Sequence, residues 1–393
     1  MRVYLVGGAV RDKLLDLPVG ERDWVVVGAT PEEMLERGFR QVGRDFPVFL
    51  HPDTGEEYAL ARTERKTGPG YTGFEVHAAP DVTLEQDLER RDLTINAMAM
   101  DDQGRLIDPF NGREDLDAGL LRHVSPAFVE DPVRILRVAR FAARFAKWGF
   151  RVAHGTNALM RRMVRDGEVA HLVAERVWAE LEKALGTDSP EVFFKVLRGC
   201  GALAVLFPEI DREFGDDPQA HRGQALPEAL EALRRAARHD PDPRVRLAVL
   251  LQHLGRDLPP DARQQRADEL LARLRAPNDY RRLALAAIRL EDLVRGERPD
   301  QVLAFLEGAD AFRNPDQLQR LLATYRAGGW IDASRAAFLE RAHQAAAETD
   351  SAPLREQGLQ GPALGEALRS ARREQIARLQ ANSHNSSAPS SSR

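Results

Sequence analysis

The sequence predicts an α+β protein, in which a small mixed α/β head is followed by an all-helical neck, body and tail. Segments that read as strands lie near the N-terminus, at residues 4–6, 22–28 and 56–62. From Ala174 onward the apolar period is helical and no strand alternation returns. We therefore expect a head at 1–140, a neck at 141–210, a body and tail at 211–381, and a disordered Ser-rich segment at 382–393.

The first strand runs into a Gly-Gly turn and a short helix. Gly7 and Gly8 carry no Cβ, so backbone N–H groups at the start of the helix can approach a triphosphate closely. Arg11 adds a fixed positive charge to the same place. Taken alone, the turn is more typical of a buried strand-turn-helix unit.

The second strand is expected to open with Glu21 and Asp23, which we call the acidic pair. Residues i and i+2 of a strand project from one face, and two carboxylates there can hold divalent cations such as Mg²⁺. Such a site activates an attacking hydroxyl and neutralises departing pyrophosphate. A solvated pair is the alternative for these acids alone. The turn and the pair in this order favour nucleotidyl transfer, with Glu21 and Asp23 as catalytic metal ligands.

The third strand places Glu57 near its start, as a third metal-proximal acid or as a salt-bridged edge residue. Residues 64–80 lose periodicity and contain three glycines, which predicts a loop. A loop of about 15 residues inside a compact domain is more often a functional lid than a connection.

Two cations, an acid and an amide follow at residues 90–97. Arg91 offers a bidentate fork to phosphate, and Asp92 can accept a hydrogen bond from a ribose hydroxyl. A capping and salt-bridge cluster is the equal alternative. The segment 108–112 has the Pro, Asn and Gly of a structural turn.

A helix is predicted at residues 130–144, with Pro132 at its start and acids in its first turn. Four arginines share one of its faces, while apolar side chains share the opposite one. We call Arg134, Arg137, Arg140 and Arg144 the arginine face. No acid lies between residues 134 and 165 to balance it, which favours an anionic ligand, although pairing with acids elsewhere in the fold is the alternative.

Five runs of residues resemble, in family order, the motifs of bacterial class II tRNA nucleotidyltransferases, the CCA-adding enzymes of the poly(A) polymerase superfamily. These runs are LVGGAVRD, RDWVVVG, RRDLTINA, DPFNG and EDPVRILRVARFAARF, and they span about the first half of the chain. The resemblance implies a polymerase β-like head that adds the 3′-terminal CCA of tRNA from CTP and ATP without a nucleic-acid template. Pyrophosphate is then the second product.

The resemblance also implies roles for individual residues. Asp131 and Arg134 match the positions that read the Watson–Crick edge of CTP or ATP, which their acceptor and donor groups suit. Arg137 and Arg140 match phosphate contacts. With these four, the predicted nucleotide-binding set comprises Gly8, Arg11, Arg91, Asp92, Asp131, Arg134, Arg137 and Arg140. The family commonly has Asp where this chain has Glu21, which is still a hard oxygen ligand.

Composition sets limits on the whole chain. Its 393 residues suffice for two or more domains, and a net charge of −5 argues against indiscriminate coating of nucleic acid. Cys200 is the only cysteine, so an intrachain disulfide is excluded. No run approaches the roughly 18 apolar residues that cross a bilayer, and a cytoplasmic location without membrane contact is expected.

Some relatives carry a metal-dependent phosphohydrolase domain marked by a His-Asp pair. The matching segment here has His253 followed by Leu254, and a leucine side chain cannot coordinate a cation. We therefore expect this region to be a degenerate relic without phosphohydrolase activity, and His253 to be a structural residue.

Three other functions compete with full CCA addition. Poly(A) polymerases share the Gly-Gly and Arg-Arg-Asp motifs but tend to have a long basic C-terminal extension, whereas the tail here is short and Ser-rich. Relatives that add only CC or only A are closer, and the 64–80 segment favours the full activity because CC-adding relatives are understood to lack it. Retention of Glu21, Asp23 and Arg11 argues against a non-catalytic RNA-binding relative. The expected partners are tRNA, CTP and ATP, with the protein a monomer or homodimer.

Overall fold

A computed structural model of the protein describes residues 1–42, 48–66, 74–215 and 226–385. The chain forms two compact units, Met1–Asp211 and Arg212–Arg393. The first unit holds the β-structure of the described residues together with ten helices, and every regular element described in the second unit is helical. The predicted α+β class is confirmed.

A seven-stranded mixed sheet forms the centre of the first unit. The described residues of this unit contain eleven strands, seven of which belong to that sheet. They are β1 Arg2–Val6, β2 Asp23–Val27, β3 Arg40–Val42, β4 Val48–Leu50, β5 Glu57–Leu60, β6 Thr63–Lys66, β7 Phe74–His77, β8 Ala99–Met100, β9 Leu106–Ile107, β10 Leu120–Leu121 and β11 Arg151–Val152. Their order in the large sheet is β3-β4-β5-β2-β1-β8-β9, while β6 pairs with β7 and β10 with β11.

The register of the two central strands brings the acidic pair to the Gly-Gly turn. Strands β1 and β2 run antiparallel, with Val6 opposite Asp23. Val6 is the last residue before Gly7, so Asp23 begins its strand beside the turn. Strand β5 lies parallel on the other side of β2 and sets Glu57 in register with Asp23.

The sheet buries both of its faces. Val25 and Val27 pack into one core with Val6, while Val26 points into a second core with Phe49. This alternation is the period-two pattern of a strand covered on both sides. Asp23 is two residues before Val25, so its side chain lies on the same face of the sheet as Val25 and Val27.

Two sequence expectations for this region are wrong. Glu21 does not lie on strand β2, which begins at Asp23. Asp23 is already paired with Val6, the last residue of β1, so the pairing of the two strands ends there. The flanks of the predicted 64–80 loop form an antiparallel hairpin from β6 and β7. The two strands satisfy the hydrogen bonds of their backbones by pairing with each other, so they form although their sequence shows no alternation of apolar residues. Residues 67–73, the centre of the predicted loop, lie outside the described residues.

The helices of the first unit cover the sheet and continue beyond it. They are α1 Gly8–Leu14, α2 Pro31–Glu36, α3 Leu84–Glu89, α4 Gly112–Asp117, α5 Val133–Phe145, α6 His154–Arg165, α7 Ala174–Leu185, α8 Glu191–Cys200, α9 Ala202–Leu206 and α10 Pro208–Asp211. The predicted head boundary at residue 140 falls inside α5, so one continuous helix belongs to both predicted segments.

Helix α5 has the two faces that the sequence predicted. Ile135, Val138 and Phe145 are fully buried, and burying each such side chain stabilises the fold by about 1.5–3 kcal/mol. The helix begins at Val133 and not at residue 130, and Asp131 accepts a hydrogen bond from the Val133 N–H at 3.2 Å just before it. The buried apolar side of α5 therefore fixes the orientation of the arginine face on its other side.

The second unit contains nine α-helices in its described part. They are α11 Glu228–His239, α12 Pro243–Gln252, α13 Pro260–Arg273, α14 Asn278–Arg289, α15 Pro299–Gly308, α16 Pro315–Ala327, α17 Ala333–Ala347, α18 Ala352–Glu356 and α19 Gly361–Asn385. Helix α19 extends four residues into the segment predicted to be disordered, because an established helix gains a bond with each added residue. No helix in the described ranges is long and apolar enough to cross a bilayer.

Candidate active site

A cavity of about 910 Å³ opens in the first unit, where the turn after β1 meets α5 and α7. All ten predicted site residues line it, although they come from four separate stretches of sequence. The lining also includes residues outside the predicted site set. Among them are Asp12, Arg90, Asn96, Phe141, Arg176 and Glu180, together with Arg144 of the arginine face.

The Gly-Gly turn is shaped by two guanidinium groups. Gly7 has φ +70° and ψ −130°, which side-chain-bearing residues rarely adopt. A Cβ there would lie 2.8 Å from Nη1 of Arg91, and a Cβ on Gly8 would lie 3.3 Å from Nη2 of Arg11. The glycines therefore let two arginines lie close against the backbone that begins α1.

The acidic pair is distant in sequence from α5 but lines the same cavity. Burial, and then the nearby charge of Glu21, raise the pKa of Asp23 above its ordinary value, against an opposing effect of Arg91. A divalent cation held there would relieve the repulsion between the Glu21 and Asp23 carboxylates. The described residues contain no cluster of three or more His, Cys, Asp or Glu side chains suited to a metal. Mg²⁺ is commonly held by one or two carboxylates plus substrate phosphates, so two carboxylates are a sufficient donor set.

Glu57 does not line the cavity even though it is in register with Asp23. Its side chain is exposed, whereas its neighbour Glu56 accepts a hydrogen bond from the Trp24 indole at 2.9 Å and pairs with Arg22. Glu57 therefore has no place in the cavity lining, and it is not an edge residue either, because β5 lies inside the sheet between β4 and β2.

Arg11 is almost completely buried, with 2% of its surface exposed. Its guanidinium donates to Asp12 at 2.9 Å and to the side-chain oxygen of Asn96, and it lies 5.1 Å from the ring centres of both Phe141 and Phe145. Burial lowers the pKa of Arg11, and Asp12 opposes that effect. The charge of Arg11 therefore acts from beneath Gly8, within the wall of the cavity.

Asp92 is held by hydrogen bonds on both carboxylate oxygens. Oδ1 accepts from the Leu93 N–H at 2.8 Å and from Asn96 at 2.9 Å, while Oδ2 accepts from Arg137 Nε at 2.7 Å. Burial alone raises the pKa of Asp92, but Arg137 and these hydrogen bonds outweigh it and hold the pKa far below its ordinary value. Asp92 is thus a fixed anion in the cavity wall.

The two residues matched to base reading are each held by a neighbour. Asp131 receives a two-pronged pair of hydrogen bonds from Arg176 of α7, at 3.0 and 2.8 Å. Arg134 donates to the backbone carbonyls of Ala127 and Arg90. Arg176 could be missed from sequence because it stands in an ordinary helical period 45 residues from its partner.

The basic stretch 134–165 is partly balanced by acids from elsewhere in the fold, which supports the alternative of pairing for at least four of its nine cations. Lys147 pairs with Asp188 at 2.7 Å, and three members of the arginine face also have carboxylate partners. These pairs are Arg137 with Asp92, Arg140 with Glu180 and Arg144 with Asp12. The acids that balance the helix are distant in sequence, which is why its own sequence did not reveal them.

Comparison with known proteins places the chain among its relatives. The family model of the poly A polymerase head domain matches residues 3–122, and that of the probable RNA and SrmB-binding site of polymerase A matches residues 149–214. Over 410 aligned residues the chain is 56% identical to a multifunctional CCA protein of Thioalkalivibrio sulfidiphilus, covering 97% of this chain and 99% of the relative. The chain belongs to the CCA-adding tRNA nucleotidyltransferase family.

Two further similarities to CCA-adding proteins extend over the full length. A multifunctional CCA protein of Methylococcus capsulatus is 54% identical, with 97% of this chain and 96% of that protein covered. The CCA-adding enzyme of Bacillus stearothermophilus, solved in complex with CTP, superimposes with a TM-score of 0.66 at 25% identity, covering 98% of this chain and 93% of that chain. Both units therefore have counterparts in this family.

In this CCA-adding family member, the segment that resembles a phosphohydrolase motif is buried at His253 and Leu254. His253 is 4% exposed, and its Nε2 lies 3.1 Å from the Gly328 carbonyl oxygen. Its Nδ1 lies 3.4 Å from Glu228, and burial is the main cause of its lowered pKa. Leu254 is likewise buried. These contacts suit a packed structural histidine, and the absence of phosphohydrolase activity stays a prediction.

Proposed function

We propose that this chain adds CMP, CMP and AMP in turn to the 3′ end of tRNA that lacks its CCA terminus, using CTP and ATP. One observation carries the proposal. Of the six carboxylates lining the cavity, four form ion pairs with arginines, namely Asp12, Asp92, Asp131 and Glu180. In the described part of the chain, Glu21 and Asp23 are the two lining acids without such a pair. A site for cations thus faces eight arginines that can receive a triphosphate.

Glu21 and Asp23 are the residues that would hold divalent metal, which we propose to be Mg²⁺. Their hard oxygens and the raised pKa of Asp23 fit a cation, because positive charge relieves the crowding of like charges. Bound there, the metal supplies activation of the terminal hydroxyl of tRNA and neutralisation of pyrophosphate.

The arginines bind and orient the triphosphate. Arg91 and Arg140 both line the cavity, and the guanidinium of Arg11 lies against Gly8. Arginine forks held by carboxylates and carbonyls are already in place when the nucleotide arrives, so little reorganisation is needed during the reaction. The terminal hydroxyl oxygen of tRNA forms a bond to the α-phosphorus while the bond to the bridging oxygen of pyrophosphate breaks.

Asp131 and Arg134 select the base. A carboxylate accepts from the exocyclic amino group that cytosine and adenine share, and a guanidinium donates to ring nitrogen or carbonyl oxygen. Uracil and guanine present a carbonyl at the corresponding position and lose the first contact. Both residues lie at the start of α5, where Arg176 and two backbone carbonyls hold them.

The direct test is incubation of the protein and Mg²⁺ with tRNA that lacks its 3′ end, followed by a sequencing gel. CTP alone should extend the tRNA by two residues, ATP alone by none, and both nucleotides by three. Stopping after two residues with both present would make it a CC-adding enzyme, and addition of A only to tRNA ending in CC would make it A-adding. A ladder of A residues would show a poly(A) polymerase, and no product would overturn the proposal.

The cytoplasmic location, the monomeric or homodimeric state and the predicted segments 1–140, 141–210, 211–381 and 382–393 stay predictions.

A further inference from the structure

A chain of side-chain hydrogen bonds leads from the far end of the arginine face to the helix that follows the Gly-Gly turn. Arg144 Nη2 donates to Asp12 Oδ2 at 2.9 Å. The other oxygen of Asp12 accepts from Arg11 Nε, also at 2.9 Å. Asp12 thus bridges an arginine of α5 and the arginine beneath Gly8.

The chain of bonds then returns to the same helix. Arg11 Nη1 donates to the side-chain oxygen of Asn96, and the Asn96 amide donates to Asp92 at 2.9 Å. Asp92 in turn accepts from Arg137 Nε at 2.7 Å. Because Arg137 and Arg144 lie on one helix, the bonds form a closed loop. We call this loop the circuit; its members are Arg144, Asp12, Arg11, Asn96, Asp92 and Arg137.

The four members of the circuit outside α5 are almost fully buried. Asp12 and Asn96 are each 6% exposed, Asp92 is 5% exposed and Arg11 is 2% exposed. Well-packed apolar residues could often serve stability as well as buried charges do. A satisfied buried polar network instead fixes one arrangement of the groups it joins. The burial therefore points to positioning as the purpose of the circuit.

The circuit holds the turn to the helix at two points. Arg137 and Arg144 are seven residues apart, or about 10 Å along the helix axis. Two attachments fix both the distance and the rotation of the turn relative to α5, whereas one attachment would leave it free to pivot. The end at Arg137 lies one helical turn from Arg134, and the end at Arg144 leads to Arg11 beneath Gly8.

We propose that Asp12 and Asn96 are positioning residues that lock the phosphate-binding turn to the base-reading helix. The triphosphate and the base of a nucleotide are then held in one rigid frame, so correct placement of one end requires correct placement of the other. The proposal rests on the proposed function, from which it takes the roles of the turn and of Asp131 and Arg134.

The test is Asn96→Leu, which keeps the size of the side chain and removes both of its hydrogen bonds in the circuit. Thr94→Val is the matched control, because Thr94 belongs to the same 3-10 turn, is equally buried and donates to Asp115 at 2.7 Å outside the circuit. Three quantities are measured for each: the melting temperature, the CTP dissociation constant, and the ratio of kcat/KM for CTP to that for UTP on tRNA lacking CCA.

Asn96→Leu should weaken CTP binding about tenfold and reduce the CTP-to-UTP ratio about tenfold, as expected when charge-assisted hydrogen bonds are lost. Thr94→Val should lower the melting temperature to a similar extent and leave both nucleotide measurements unchanged. Asp12→Asn breaks the other arm, because its amide nitrogen cannot accept, and should change the nucleotide measurements in the same direction. It also serves as the test if Asn96→Leu does not fold.

Weaker CTP binding with an unchanged CTP-to-UTP ratio in both circuit variants would overturn the proposal, because the circuit would then brace only the turn. Equal losses of selectivity in Thr94→Val would also overturn it, since general destabilisation would account for them. If the wild-type protein adds no nucleotide, the proposed function fails. The ratio of CTP to UTP dissociation constants then decides whether the circuit couples the two ends.

Discussion

Replacing Asp23 by asparagine should affect activity and stability in opposite directions. The variant keeps the shape of the side chain and removes one of the two carboxylates proposed to hold the metal. A bound metal stabilises the transition state by several kcal/mol, and a loss of about 4 kcal/mol lowers kcat about 10³-fold. Single-turnover addition of CMP in saturating Mg²⁺ measures this loss directly.

The stability effect follows from the raised pKa of Asp23, caused first by burial and then by Glu21. A carboxyl whose pKa is higher in the folded than in the unfolded state binds its proton more tightly when folded. The wild-type protein without metal therefore loses stability as pH rises from about 4, the ordinary value, through the raised pKa. The amide of the variant carries no such charge, so Asp23→Asn should raise the melting temperature of metal-free protein at pH 7, and the difference should vanish at low pH.

Glu57→Gln is the matched control, since Glu57 is in register with Asp23 but does not line the cavity. It should leave kcat near the wild-type value, and Mg²⁺ should still raise its melting temperature. Added Mg²⁺ should stabilise the wild type and no longer stabilise Asp23→Asn. Wild-type turnover by Asp23→Asn, or a melting temperature of the metal-free variant below the wild type at pH 7, would refute the metal assignment.

Three further predictions concern base selection, the body and the 64–80 segment. Arg134→Ala should reduce discrimination against UTP and GTP by about 1–3 kcal/mol, more than it weakens triphosphate binding; unchanged discrimination in competition assays would contradict this. The protein should release no phosphate from phosphomonoesters or 2′,3′-cyclic nucleotides with added Ni²⁺, Co²⁺ or Mn²⁺, and release that His253→Ala abolishes would disprove a degenerate body. Shortening the 67–73 segment should leave addition of both C residues largely intact and stall the product before the terminal A on a sequencing gel, whereas loss of every step would assign the segment a general supporting role.

The residues that line the cavity could be proposed from sequence because their signals are local. The Gly-Gly turn, the spacing of Glu21 and Asp23 and the face of α5 each depend on a few consecutive residues. Apolar periodicity also predicted a helical chain from Ala174 onward, and every regular element described after that residue is helical. The face of α5 follows from helix geometry alone, whereas strand geometry did not place Glu21, which lies before β2.

The partners of those residues were not predictable, because they are set by tertiary packing. Glu180 and Arg176 lie on α7, about 40 residues from the arginine and the acid that they bind, in a stretch with an ordinary helical period. The position of Glu21 likewise depended on where β1 ends, which β2 alone does not reveal. Short strands such as β3, with three residues, offer too few positions for alternation to appear.

The partners contributed by tertiary packing explain why the cavity is not simply a basic patch. A helix face of four unpaired arginines would attract anions but would leave its long side chains free to move. Carboxylates from α1, α7 and the segment before Leu93 pair with Arg144, Arg140 and Arg137, which sacrifices part of the attraction and fixes each guanidinium in place. Eight arginines still exceed the six lining carboxylates, so the field remains positive. In the described part of the chain, Glu21 and Asp23 are the lining carboxylates without arginine partners, so the negative charge that a cation could neutralise stays at the acidic pair.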